Sequence, residues 1–259
     1  MEEQLAKIKE WLGTGSINVF GLPMSGKDTV GVRLAEGLGA KFLSSGIIVR
    51  AIEESTRQSL THQGKLIPSN MFYEWVLPYF EKRELWEYPL VLSSIGRWAG
   101  EEDQVMSVAK ESGHQIKAAV VLELSEQTVI ERWEAAKILG DRGLREDDAN
   151  PRIFQNRIQE YKEKTVPVLK HYQELGLLVP VKADFPRDQV FANVVQALAD
   201  FSDKPPVFLS WWAGRERELG FGLFDFVDSR GNVVRDAASA PPEFASVLKY
   251  NIANTASGE

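Results

Sequence analysis

The residues best suited to do chemistry in this sequence are Gly21-Leu22-Pro23-Met24-Ser25-Gly26-Lys27. They follow an apolar tetrad, Ile17-Asn18-Val19-Phe20, and precede Val30, Leu34 and Leu38 at helical spacing, the strand-loop-helix context that the G-x-x-x-x-G-K pattern requires. Glycines let backbone N–H groups turn toward a phosphate, the following helix adds a favourable dipole, and Lys27 supplies a point charge to the outer phosphates. The residue after the lysine ordinarily offers a hydroxyl to Mg²⁺. Here it is Asp28, with Thr29 one place later. A carboxylate beside a triphosphate is repelled unless a hard cation lies between them, so Asp28 is expected to help position Mg²⁺. Its alternative is that of an acid at a helix start, favoured by the dipole. Thiol and Cys-zinc chemistry are excluded by the absence of cysteine, and His62, His114 and His171 form no HExxH pair.

The elements around this loop follow from periodicity. Leu5, Ile8 and Leu12 predict an opening helix that stops at Gly13-Thr14-Gly15-Ser16, and Gly39 marks the end of the helix after the loop. Lys41-Phe42-Leu43, Pro89-Leu90-Val91-Leu92, Ala118-Ala119-Val120-Val121-Leu122 and Leu177-Leu178-Val179-Pro180-Val181 are too short for helices and read as strands. From Val49 to about Lys82 the pattern is helical, with breaks at Gly64 and Pro68. Five apolar strands alternating with helical stretches predict an α/β fold of three layers with a five-stranded parallel sheet, whose ligands bind at the carboxyl ends of the strands. Beyond Leu198 the rhythm changes, and Phe221–Phe226 with Val233-Val234, around Asp228-Ser229-Arg230-Gly231-Asn232, predicts a β-hairpin in a C-terminal extension.

The loop GLPMSGKDT resembles the GxPGxGKGT loop of the adenylate kinase family of nucleoside monophosphate kinases, and the resemblance runs over roughly residues 17–200. It implies a P-loop NTPase-type kinase domain over residues 1–200, with a monophosphate-binding insert at about 45–82, a short lid at about 133–146 and an extension over 201–259. The family's TGDxxR segment is matched by Ser45-Gly46-Ile47-Ile48-Val49-Arg50, its GxLVP by Gly64-Lys65-Leu66-Ile67-Pro68, and its DGFPR by Ser93-Ser94-Ile95-Gly96-Arg97. Glu131-Arg132 is similar to the start of the lid, Leu144-Arg145-Glu146-Asp147-Asp148 to RxDD, and Arg157-Ile158-Gln159-Glu160-Tyr161 with Thr165 and Pro167 to RLxxYxxxTxPL. By this resemblance Gly21, Pro23, Ser25, Gly26, Lys27, Asp28 and Thr29 hold ATP, and Arg132 stacks on its adenine. Ser45, Gly46, Arg50, Leu66, Ile67 and Arg97 receive the acceptor, while Lys27, Arg97, Arg145 and Arg157 surround the moving phosphoryl. ATP and Mg²⁺ are the expected substrate and metal. The chemistry fits this residue set, because phosphoryl transfer needs positioning and charge neutralisation more than covalent help.

Three departures from the family pattern bear on function. Its two aspartates are replaced by Ile47 and Ser93, one lid arginine by Ala136, and its adenine-reading glutamine by Glu101. An ionised carboxylate only accepts hydrogen bonds, so Glu101 is expected to move acceptor choice from strict AMP use toward guanine, whose two adjacent donors both carboxylate oxygens could meet. The alternative is a helix-start acid in the run Glu101-Glu102-Asp103. The lost aspartates also leave open a second function, a nucleotide-binding regulatory or assembly module without turnover. Thirty Lys plus Arg against thirty-seven Asp plus Glu give a formal net charge of -7, which argues against nucleic acid as partner. No apolar run reaches the roughly 20 residues of a bilayer span, and Met1-Glu2-Glu3-Gln4 lacks signal-peptide order. The expected protein is therefore cytoplasmic, with small-molecule nucleotides as partners, and a monomer or a homodimer through its extension.

Overall fold

A computed structural model describes residues 1–57, 61, 64–139 and 150–203. Met1–Ser202 forms one compact unit. Its five strands, β1 (Ser16–Gly21), β2 (Lys41–Ser44), β3 (Leu90–Ser93), β4 (Ile116–Glu123) and β5 (Leu178–Lys182), make one sheet of order β2-β3-β1-β4-β5. All neighbouring pairs are parallel. The fold is the three-layer P-loop α/β arrangement that the alternation of strands and helices predicts. The predicted hairpin and the rest of 204–259 lie outside the described residues.

Side-chain alternation along β1 explains why its sequence is apolar almost without a break. Ile17 and Val19 face a core built with α1 (Glu2–Leu12), α2 (Lys27–Leu38) and α9 (Arg187–Ser202), where Ile8, Leu12, Leu34, Leu38, Val194 and Leu198 are fully buried. Phe20 points to the other layer, its ring 5.8 Å from that of Tyr172 on α8 (Val166–Glu174). Covered on both faces, a strand needs no polar side except where a polar group has a task. Ser16 at its start and Asn18 in its middle, both buried, are those exceptions.

Between β2 and β3 the chain forms α3 (Ser45–Thr56), α4 (Ser69–Trp75) and two 3₁₀ turns, Leu77–Glu81 and Arg83–Leu85. The long helical pattern predicted over 49–82 ends earlier than its periodicity suggests, because Arg57 adopts a left-handed conformation (φ 56°) and closes α3. After β3 come α5 (Glu101–Glu111), α6 (Glu126–Leu139), α7 (Pro151–Glu160) and a π-helical turn, Tyr161–Thr165, that leads into α8. The predicted lid begins inside α6, where Trp133 and Ala136 are buried, and the rest of it lies outside the described residues.

Two features place the carboxyl end of the sheet where a ligand can reach it. After β3 the chain crosses from one side of β1 to the other, so the carboxyl end of β1 lies at the point where the winding reverses. A second cluster, Leu22, Val129, Trp133, Phe154 and Ile158, packs the phosphate loop against α6 and α7, with the Trp133 and Phe154 rings stacked 4.9 Å apart. That cluster holds the helix bearing Arg157 against the loop bearing Lys27.

Leu34 has no exposed surface in the core shared by α1, α2 and α9. Leu34→Ala should lower unfolding free energy by about 2–5 kcal/mol, read by denaturant unfolding. It should leave nucleotide affinity intact, since the residue faces away from the loop.

Candidate active site

The loop closes by backbone geometry. Ser25 N–H donates to Leu22 O at 3.1 Å, and Gly26, at φ 85°, caps α2 in a left-handed conformation that suits glycine. Gly21 allows the return path, because a Cβ there would lie 2.5 Å from Ser25 Oγ. Met24 (φ 62°) and Ser94 (φ 49°) are also left-handed without being glycine, one in the loop and one just past β3. Such strain persists where surrounding contacts over-determine the backbone, typically at a working site.

The β3 end is pinned from β1 and α3. Asn18 Nδ2 donates to Ile95 O at 2.7 Å, and Ile95 N–H returns a bond to Asn18 Oδ1 at 3.2 Å. Ser45 Oγ donates to Ser94 O at 2.8 Å. Arg97 Nε donates to the same carbonyl at 3.3 Å, so the guanidinium is aimed by a backbone that three elements hold.

An open cleft of about 1080 Å³, solvent at its mouth included, runs between these parts. Gly21, Pro23 and Lys27 line one end, and Ser45, Gly46, Arg50, Leu66, Ile67, Arg97, Glu101 and Arg157 line the remainder. The structure thus brings together most of the residues singled out in the sequence. Burial, aided by the nearby Arg157 and Arg50 charges and opposed by Asp28 and Glu101, pulls the Arg97 pKa down to about 10. An arginine whose protonation is disfavoured by neighbouring cations is arranged for an anion, which removes the repulsion when it binds. Arg145 lies outside the described residues.

Ser25, Gly26, Asp28 and Thr29 sit in the loop and the first turn of α2. Asp28 Oδ1 accepts a hydrogen bond from Ser93 Oγ across the gap between α2 and β3. Ile47, at the other position where the family pattern has an aspartate, is exposed.

Arg132 does not line the cleft. Its guanidinium donates to Ser25 O at 3.4 Å, Ala183 O at 2.7 Å and Phe185 O at 3.3 Å, tying the phosphate loop to the connection between β5 and α9. Burial lowers its pKa, with Asp184 opposing.

Glu101 requires a correction. Its Oε1 accepts from Ser69 Oγ at 2.7 Å, and its Oε2 accepts from the backbone N–H of Arg97 (2.8 Å) and of Trp98 (3.1 Å). Burial raises its pKa while these bonds oppose the shift. With Oε2 saturated, the expected pairing of both oxygens with guanine is not available. The carboxylate caps the turn that carries Arg97, and the helix-start alternative describes it better.

Glu160 and Lys164, also around the cleft, carry no mark in the sequence that points to this task, whereas Tyr161 stands in the segment matched to RLxxYxxxTxPL. Glu160 Oε2 accepts from Leu66 N–H at 3.2 Å and binds Lys164 Nζ at 2.8 Å, while Lys164 Nζ lies 3.8 Å from the centre of the Trp98 ring. This chain of contacts joins the segment 64–68 to α7 and to the start of α5. Tyr161, on the π-helical turn, also lines the cleft, and burial pushes its hydroxyl up to about 12 against the opposing charge of Arg97. A π turn widens a helix locally and is common at functional sites. The only sequence signal for Glu160 and Lys164 is their spacing of four, which is that of a frequent surface pair.

A phosphate loop at the reversal point of a parallel sheet, facing a cleft lined with arginines, defines a P-loop phosphotransferase. Comparisons with known proteins agree. A family model described as an AAA domain matches residues 17–142. Adenylate kinase of Mycobacterium bovis is 30% identical over 186 residues, covering 70% of this chain and 97% of that protein. An adenylate kinase of Thermus thermophilus is 29% identical over 197 residues, covering 72% and 99%. A crystal structure of a gluconokinase from Sinorhizobium meliloti 1021 shares the fold at a TM-score of 0.50 and 20% identity, over 73% of this chain and 94% of that one. The chain belongs to the adenylate kinase family. Among the described residues no helix is long and apolar enough to cross a membrane.

The clamp and the cap behind Arg97 can each be tested. Asn18→Ala should leave Ile95 N–H buried without its acceptor, costing about 1–3 kcal/mol, and should raise KM for the acceptor more than for the donor, as read by melting curves and steady-state kinetics. Glutamine at 101 keeps an oxygen for the two backbone N–H groups and an amide that can donate to Ser69 Oγ. Glu101→Gln should therefore leave kcat/KM close to that of the wild type, whereas Glu101→Ala should reduce it for every acceptor tested.

Proposed function

We propose that this chain transfers the terminal phosphoryl of ATP, with Mg²⁺, to a nucleoside monophosphate. The observation that carries this reading is the convergence of Lys27, Arg50, Arg97 and Arg157 on one cleft, with the phosphate loop at one end. The family relationship supports it, because the relatives named above are adenylate kinases.

Each residue has a defined task in this reading. Backbone N–H groups of the loop and Lys27 hold the β- and γ-phosphates of ATP. Arg132, held beside the phosphate loop by three carbonyl acceptors though outside the cleft lining, is the residue on which the family resemblance puts the donor adenine. Arg50 and Arg97 receive the acceptor phosphate, whose oxygen is already ionised and attacks without a general base. Arg157, with Arg145 from the stretch 140–149, neutralises the charge of the transferring group. Leu66, Ile67 and Val49 supply apolar surface to the acceptor base, and the bond from Leu66 N–H to Glu160 keeps that surface facing α7. Asp28, on the first turn of α2 and hydrogen-bonded to Ser93, would help hold a Mg²⁺ brought with ATP, and the ion would supply neutralisation of phosphate charge.

The test is formation of ADP from ATP in a coupled assay against AMP, GMP, CMP and UMP, with gluconate included as a hydroxyl acceptor. Turnover with at least one monophosphate is expected. ATP binding without turnover on any of them would contradict the proposal and favour a regulatory module. Lys27→Ala should reduce kcat by about 10²–10³-fold, the scale of losing one transition-state charge partner, with an unchanged melting curve because Lys27 is outside the core.

A further inference from the structure

Thr165 closes the π-helical turn through which α7 continues into α8. In a regular α-helix each step of four residues carries a side chain about 40° further round the axis, so every fourth residue soon leaves a given face. A π turn holds more residues per turn and rotates the path back. Arg157, Tyr161 and Thr165, four residues apart, accordingly all line the one cleft. Thr165 is 1% exposed, and its Oγ1 has no hydrogen-bond partner among the described residues. The usual partner of a helical threonine hydroxyl is the carbonyl four residues back. Here that carbonyl belongs to Tyr161 and already accepts from Val166 N–H. Resting on the reading of the site as a nucleoside monophosphate kinase, we propose that the Thr165 hydroxyl hydrogen-bonds the base of the acceptor nucleotide. It is then a specificity-determining residue that admits bases presenting either an amino or a carbonyl group.

Position along the helix supports this. Arg157 is close enough to Arg97 for their charges to interact, which marks its level as the phosphate end. Thr165 comes eight residues later, roughly 12 Å along the axis at 1.5 Å per residue. That span is comparable with the length of a nucleoside monophosphate from phosphate to base. Lys164, the residue before it, holds this level against the start of α5 through its ammonium group 3.8 Å from the centre of the Trp98 ring. Other polar groups of the cleft wall are already committed to the protein. Ser45 Oγ donates to Ser94 O at 2.8 Å, Thr61 Oγ1 donates to Glu53 Oε2 at 2.8 Å, and Glu101 accepts three hydrogen bonds. Leu66 N–H is given to Glu160, and Leu66, Ile67 and Phe72 add apolar surface. A base lying on that surface still needs a partner for its polar edge, because a buried polar group without one is costly. A glutamine offers a donor and an acceptor at fixed places, whereas a hydroxyl turns to do either. Thr165 can thus accept from the amino group of adenine or cytosine and donate to the carbonyl of guanine or uracil.

A hydroxyl that serves a ligand and one that serves the fold respond oppositely to removal. Thr165→Val keeps the branched shape and loses only the hydroxyl, and Thr165→Ser keeps the hydroxyl. The experiment is steady-state kinetics of the wild type and both variants with AMP, GMP, CMP and UMP, and with ATP varied at saturating acceptor, beside melting curves. The wild type should use monophosphates of both amino-bearing and carbonyl-bearing bases. Thr165→Val should raise KM for the acceptor by about 5–10-fold, the scale of one neutral hydrogen bond, and leave KM for ATP unchanged. Its melting temperature should not fall, since it removes a buried hydroxyl that has no partner in the folded chain. Thr165→Ser should keep KM for the acceptor near that of the wild type. Strict use of one monophosphate by the wild type overturns the inference while the kinase reading stands. So does an unchanged acceptor KM or a lower melting temperature in Thr165→Val, or an equal rise of acceptor KM in Thr165→Ser. Absence of turnover by the wild type with all four monophosphates would sink the kinase reading and the inference together.

Discussion

Positive charge crowded into a cleft is the constraint around which this molecule is built. Arg97 has its pKa lowered by burial and by Arg157 and Arg50, so the folded protein holds guanidinium groups at a spacing they would not choose alone. The scaffold opposes that repulsion with elements that do not yield. The parallel sheet fixes the end of β3, Asn18 clamps Ile95, and Glu101 caps the turn between them by accepting two backbone N–H groups. Phosphates entering the cleft convert the repulsion into attraction, and this stored electrostatic preorganisation is what a phosphoryl-transfer site requires.

Arg50 is on α3, Arg97 just past β3 and Arg157 on α7, so the cluster exists only when three separate segments are correctly placed. The Leu22, Trp133 and Phe154 cluster sets α7 against the loop, and the bond from Leu66 N–H to Glu160 sets the segment 64–68 against α7. Lys164, bound to Glu160 and lying over Trp98, extends the same linkage to α5. Movement of one of these parts therefore alters the electrostatics felt by the others. Few contacts join these parts, which makes Glu160 a hub without being a catalytic group.

Much of this is legible in the sequence, for definite reasons. The five strands are short continuous apolar runs because both sheet faces are covered, and the loop motif stands in its required context. Strand order is not legible, since pairing β3 between β2 and β1 depends on contacts far apart in the chain. Asn18 reads as one polar residue in an apolar tetrad, although a polar side chain in a doubly covered strand is a sign of a buried hydrogen-bonding task. The capping role of Glu101 is hidden because its partners, Ser69 and the N–H groups of Arg97 and Trp98, belong to a turn that spacing does not reveal. The contact of Asp28 with Ser93 is hidden for a similar reason: the two substitutions stand 65 positions apart and meet only in the folded sheet.

The central claim is that one cleft holds the donor and acceptor nucleotides together, with the arginine cluster between them. Titration with a dinucleoside polyphosphate, which carries both nucleosides on one phosphate chain, tests it most directly. The account predicts one molecule bound per chain, displacement by both ATP and the preferred monophosphate, and much weaker binding to Arg97→Ala. Two molecules bound per chain, or displacement by ATP alone with Arg97→Ala unaffected, would contradict it.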